Sequence, residues 1–148
     1  MRFRFGITLL ISFLFLSIGS HTKAQESVSE VDPNKPLIKS VFFGGGSYYI
    51  DGEQVDELKD FLGTIPDINM YTITIHSHTD NIGGIEYNAW LSQMRSESVA
   101  YELIMQNVPG NSIHIKDFGQ EDPSFNNQSY RGRLMNRRVD IIFEQIVF

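Results

Sequence analysis

Between Met70 and Gln106 the chain makes its strongest statement about fold. Met70 to His78 alternates, with Tyr71, Ile73 and Ile75 on one side and Thr72, Thr74, His76 and His78 on the other. That period of two predicts a half-buried strand. Asp80, Gly83 and Gly84 follow as a turn, and a helix is predicted from Ile85 to about Gln106, closed by Pro109-Gly110. A strand that hands over to a long helix through a polar turn is half of an α/β layer, and the remaining segments supply the other half.

Leu37 to Phe43 is β-rich and stops at Gly44-Gly45-Gly46. Asp51 then opens a helix whose Val55, Leu58, Phe61 and Leu62 share one face, ended by Gly63 and Pro66. Ser112 to Phe118 reads as a third strand and Gly119 to Met135 as a polar loop. Arg137 to Ile146 reads as a last strand, with Val139, Ile141 and Phe143 on one side. The order is β-α-β-α-β-(loop)-β, a two-layer α/β (α+β) sandwich with helices on one face of a small mixed sheet.

The first residues follow another pattern. Arg2 and Arg4 precede an apolar run from Ile7 to Ile18, after which Thr22-Lys23-Ala24 is small and polar. This is the layout of a secretory signal peptide, with cleavage expected after Ala24. The run falls short of the ~20 apolar residues of a spanning helix. Residues 25–36 are polar and contain two prolines, so they read as a flexible leader, and residues 37–148 as the folded domain. Removing residues 1–24 takes three bases and no acid, so 9 Lys and Arg face 18 Asp and Glu and the charge falls from -6 to -9. Such a chain is a poor general partner for nucleic acid. Within it, Arg131, Arg133, Arg137 and Arg138 are clustered.

Candidate chemistry gathers at the strand-to-helix turn. Asn88, Leu91, Arg95 and Val99 recur by threes and fours, which turns Arg95 toward the core and demands either a partner or a pocket for it. Asp80, ahead of the helix, suits an Asx turn or helix cap, and equally an ammonium ion. An acid, a guanidinium and a helix N-terminus together suit a zwitterionic ligand. Arg137 and Arg138 alternate on a strand, so at most one belongs to such a site, and Arg137 shares its side with Val139 and Ile141. A second reading is metal: His76-x-His78-x-Asp80 could begin a zinc hydrolase site, but Asn81 and the single further histidine His114 of the mature chain complete it poorly. Gly44-Gly45-Gly46 lacks the Lys-Ser/Thr of a phosphate loop, and no cysteine and no G-x-S-x-G is present for nucleophilic chemistry.

Three motifs in order, H-T-D-x-x-G from His78, Y-N-x-x-L-S-x-x-R from Tyr87 and G-R-x-x-N-R-R-V from Gly132, resemble the OmpA-like C-terminal domain, a peptidoglycan-associating module. The resemblance covers about Leu37 to Phe143. It implies an OmpA-like fold, no enzyme activity and no cofactor or metal. It further implies noncovalent binding of the diaminopimelate in the peptidoglycan stem by Asp80 and Arg95, with Thr79, Asn88, Leu91 and Arg137 in supporting positions. The implied setting is the periplasm, tethering the outer membrane of the envelope to the cell wall, with peptidoglycan and outer-membrane proteins as partners. The chain departs from the family pattern at Gly44, where an Asp is frequent, at Ser77 before H-T-D, and at Asp117 and Gln120 ahead of Pro123. The alternative is the same fold kept as a structural or protein-interaction domain without ligand.

Overall fold

The computed structural model describes residues 35–147. The expected signal peptide and nearly all of the expected leader lie outside the described residues. Four strands, β1 (Leu37–Phe42), β2 (Tyr71–His78), β3 (Ile113–Gly119) and β4 (Arg138–Gln145), form one mixed sheet in the order β1-β4-β2-β3. β4 runs antiparallel to both β1 and β2, whereas β2 and β3 are parallel. A parallel neighbour needs a crossover, and the 21-residue helix α2 (Ile85–Met105) supplies it between β2 and β3. Helix α1 (Gly52–Gly63) connects β1 to β2, its N-terminus capped by Asp51, whose carboxylate accepts the Gln54 N–H at 2.9 Å.

The core lies between the sheet and these two helices. Val41, Ile73, Ile75, Val139, Ile141 and Phe143 line one face of the sheet and are at most 1% exposed. Leu58 of α1 and Val99 and Leu103 of α2 close over them. Register explains why one face suffices: Ile75 stands opposite Ile141 and Ile73 opposite Phe143, so the apolar positions of β2 and β4 coincide. The α/β sandwich and its mixed sheet thus follow the period read from the sequence.

One element departs from expectation. Within the segment expected to be loop, Tyr130–Asn136 forms a short helix, α3. Ser129 caps it, its Oγ accepting the Gly132 N–H at 2.9 Å. The helix carries no apolar period, because its buried positions are Gly132 and Asn136. Gly132 packs so closely that a Cβ would strike the Asn126 carbonyl. Asn136 donates to the Phe125 carbonyl at 2.7 Å and accepts the Phe125 N–H at 3.0 Å. Polar pinning of this kind holds seven residues helical without a hydrophobic stripe.

As a result Arg137 is not a strand residue. It caps α3 one position before β4, so the alternation argument that set it on the side of Val139 does not apply. Arg138 does open β4 and bonds Asp140 at 2.9 Å and Ser124 at 2.7 Å, a structural ion pair.

Candidate functional site

Three segments converge beyond the end of β2. The parallel ladder slips between Ser77 and His78, setting His78 against Gly119, and the Thr79 N–H then bonds the Gly119 carbonyl at 2.8 Å. The chain leaves the sheet here and turns sharply. Asp80 Oδ1 accepts the Ile82 N–H at 3.1 Å, closing an Asx turn. Gly83, with φ of +108°, carries the backbone into α2, and its missing Cβ leaves room for the Tyr87 ring. Gly84 is the N-cap of α2, and no side chain caps that end of the helix.

The second carboxylate oxygen of Asp80 faces Arg137 Nη1 at 3.7 Å, beyond hydrogen-bond length but within ion-pair range. Arg137 arrives from the end of α3. Its Nη1 passes close over the backbone of Gly45, where a Cβ would lie 2.9 Å from it. The glycine run is therefore the floor on which this guanidinium lies, and the Phe43 N–H bond to the Arg137 carbonyl at 2.9 Å ties the two segments together.

Arg95 enters from α2 and is fully buried. Nε donates to the Ser47 carbonyl at 2.9 Å, Nη1 to the His78 carbonyl at 3.0 Å and Nη2 to the Gly44 carbonyl at 3.0 Å. The guanidinium also sits 5.0 Å from the centre of the Phe43 ring. Burial lowers its pKa to about 10, the Asp80 charge acting in the opposite direction. It stays cationic at neutral pH. Three of its five N–H groups thus fasten the β1–α1 loop to the end of β2, and two remain.

These groups surround a cavity of about 230 Å³ lined by Gly45, Gly46, Asp80, Ile82, Gly83, Tyr87, Leu91, Arg95 and Arg137. Of the residues singled out from sequence, Asp80, Leu91, Arg95 and Arg137 meet there. Thr79 and Asn88 stand outside the lining: the Thr79 hydroxyl bonds the Asp80 carbonyl at 3.0 Å, and the Asn88 amide donates to Gln120 Oε1 at 2.7 Å. Both brace the turn from behind. Sequence reasoning missed Tyr87, Ile82 and the glycines as lining. Two positive φ values, at Gly46 and Gly83, underlie the omission, since backbone conformation is what brings those loops to the rim. Gly44 also contributes through its backbone, its carbonyl receiving Arg95.

The two histidines of the metal reading lie elsewhere. His78 stacks on Phe118 at 5.0 Å and His76 meets the same ring edge-on at 5.1 Å. Burial lowers the pKa of both, helped by Arg138 at His78 and Lys116 at His76. Among the described residues no three His, Cys, Asp or Glu side chains come together as a metal set.

The family model of the OmpA family matches residues 42–137. The outer-membrane lipoprotein YfiB of Pseudomonas aeruginosa is 30% identical over 106 residues, covering 72% of this chain and 63% of that protein. The peptidoglycan-binding protein ArfA of Mycobacterium tuberculosis is 35% identical over 92 residues, 62% of this chain and 27% of ArfA. The chain therefore spans less than two thirds of these curated relatives. Among solved structures, the peptidoglycan-associated lipoprotein of Burkholderia pseudomallei superposes with a TM-score of 0.62 at 26% identity, covering 71% of this chain and 89% of that one. The C-terminal domain of Helicobacter pylori MotB shares the fold, with a TM-score of 0.63 at 21% identity and coverage of 74% and 86%.

Proposed function

The chain belongs to the OmpA family, and from that premise we propose that it binds peptidoglycan noncovalently in the bacterial envelope, through the diaminopimelate of the stem peptide. The observation that carries the reading is the pair of opposite charges on one small cavity, Asp80 against Arg137 at 3.7 Å with Arg95 behind them. Diaminopimelate retains an ammonium and a carboxylate on one carbon at its free end. Asp80 Oδ2 accepts the ammonium, while Arg137 takes the carboxylate in a charge-assisted bond. Arg95 supplies positive potential from below and holds the loops that form the walls. Because Asp80 and Arg137 are near but not hydrogen-bonded, a zwitterion inserted between them replaces one loose ion pair by two close ones.

Magnitude limits what one stem can do. Two charge-assisted bonds at about 1.5–3 kcal/mol each give affinity in the millimolar range. A polymer that repeats the ligand compensates through effective concentration. The setting that suits such a protein is the periplasm, where it tethers the outer membrane to the wall, consistent with outer-membrane proteins among its relatives. Catalysis is no part of this reading.

Sedimentation with purified sacculi tests it. The protein without residues 1–24 should co-sediment and be released by free diaminopimelate, whereas Asp80→Ala should stay in solution. Walls with lysine in place of diaminopimelate lack the second carboxylate and should bind weakly. Retention of Asp80→Ala on sacculi would overturn the assignment; so would a wild type that ignores sacculi yet is held by an envelope protein, which favours the fold as an interaction domain.

A further inference from the structure

A larger groove, about 380 Å³, runs along the outer side of α2 and is not used by the charged cavity. The β1–α1 loop that provides Gly45 and Gly46 to the cavity continues into Tyr48 and Tyr49, which form one wall. Helix α2, which gives Tyr87 to the cavity, provides the other with Met94 and Tyr101. Trp90 joins the two sites: its ring lies 5.8 Å from that of Tyr87 and meets that of Tyr48 edge-on at 6.0 Å. An aromatic track of Tyr87, Trp90 and Tyr48 therefore leads from the cavity to the groove, which continues up the helix past Met94 to Tyr101. At 1.5 Å per residue, Tyr87 to Tyr101 is about 21 Å.

The composition of this track is unusual for a water-facing helix side. Tyr49 is 74% exposed, Tyr101 61% and Trp90 46%, although large aromatic rings are costly to leave in water. Among the described residues the hydroxyls of Tyr48, Tyr49 and Tyr101 have no hydrogen-bond partner, and the rings of Tyr49 and Tyr101 are largely exposed. Glu97 and Glu102 stand on the groove as acceptors. Flat apolar faces beside acceptors and hydroxyls suit a ligand with apolar C–H faces and a polar hydroxyl and amide edge.

We propose that this track is a glycan subsite, on which N-acetylated sugar rings of the wall strand stack while the stem peptide of the same strand occupies the charged cavity. The inference rests on the peptidoglycan reading above and extends it from the peptide to the sugar. Continuity favours this occupant over others. The stem joins diaminopimelate to the glycan through a few residues of at most about 3.5 Å each, a span that lets the sugars attached to a bound stem reach the near end of the track. Contacts with neutral rings also tolerate the protein's acidic charge, because each ring offers donors to Glu97 and Glu102 without bringing an anion. Stacking supplies the affinity that two ion pairs lack.

Trp90 is the only tryptophan in the chain, which gives a direct readout. A peptide-free tetramer of N-acetylglucosamine should change its emission saturably in the wild type and equally in Asp80→Ala, since the probe lacks diaminopimelate. Tyr48→Ala/Tyr101→Ala should abolish that response and weaken sacculus binding about tenfold, while Tyr48→Phe/Tyr101→Phe, which keeps the rings, should retain at least half of the affinity. Release of the tyrosine variant from sacculi by free diaminopimelate should be unchanged. Absence of a tetramer response, or full sacculus affinity in the alanine variant, would overturn the subsite. So would loss of self-association in the alanine variant from a wild type that dimerises, which would assign the track to a second copy. Failure of the charged cavity is separable, because Asp80→Ala would then still sediment while the tetramer result stands alone.

Discussion

Replacing Arg95 with alanine should unfold the site before it weakens any contact with ligand. The guanidinium satisfies the carbonyls of Gly44, Ser47 and His78, at 2.9 to 3.0 Å, from a position with no solvent exposure. Truncation leaves three acceptors facing a void. Each buried acceptor without a partner costs about 1–3 kcal/mol, so their sum is on the order of 3–9 kcal/mol. Two effects reduce it: water can enter the space, and the wild type already bears the desolvation of a charge, the same burial that lowers the Arg95 pKa to about 10. The net expectation is about 3–5 kcal/mol, a large part of the ~5–15 kcal/mol that holds a domain together. Urea denaturation followed by Trp90 emission measures it. With a slope of about 1–3 kcal/mol per M, the midpoint should fall by roughly 2 M. Arg95→Lys keeps the charge but not the fork, and should recover only part of the loss. A midpoint within about 0.3 M of wild type in Arg95→Ala would refute the claim that Arg95 is the bolt between the two loops, and would return it to the role of a ligand arm alone.

Three further outcomes are expected. Gly45→Ala brings a Cβ to 2.9 Å from Arg137 Nη1, the far end of a flexible side chain, so the fold should survive while Arg137 swings away and sacculus binding drops about tenfold. Unchanged binding would show that Arg137 need not lie on the glycine floor. Asn136→Ala removes three hydrogen bonds that pin Phe125 and Asn127 to α3 and should cost about 2–4 kcal/mol by urea denaturation. Because burial holds His76 and His78 below their ordinary 6.5, the unfolded chain binds protons first on acidification. Their contribution is therefore complete above pH 6.5 and is lost as pH falls through the lower folded values. Comparing urea midpoints of wild type and His76→Gln/His78→Gln across pH 7.5 to 5 checks this; the variant should show the smaller decline.

Much of this architecture is written locally. The period of two in β2, the period of 3.6 in α2 and the Asp51 start of α1 depend on neighbours in the chain, and these three elements appear where those patterns set them. The inward turn of Arg95 followed from the same arithmetic, since Leu91 and Val99 share its helix face. The place of Asp80 ahead of the helix suggested an Asx turn or a helix cap, and the structure shows the Asx turn.

What pattern alone did not determine was partnership. Nothing in the sequence pairs Arg95 with three carbonyls rather than with Asp80, because carbonyls carry no residue-specific signal. Helix α3 was hidden for a related reason: Asn136 and Gly132 stabilise it through backbone contacts and not by an apolar stripe, and that hidden helix is what turns Arg137 toward Asp80. The sequence by itself determined the layers, the polarity of each face and the residues at the strand-to-helix turn, since these obey short-range periodicity. Only the tertiary structure decided which charges oppose each other, which glycines become floor and that an aromatic track leaves the same cavity, since those depend on loops from distant parts of the chain meeting at one end of the sheet.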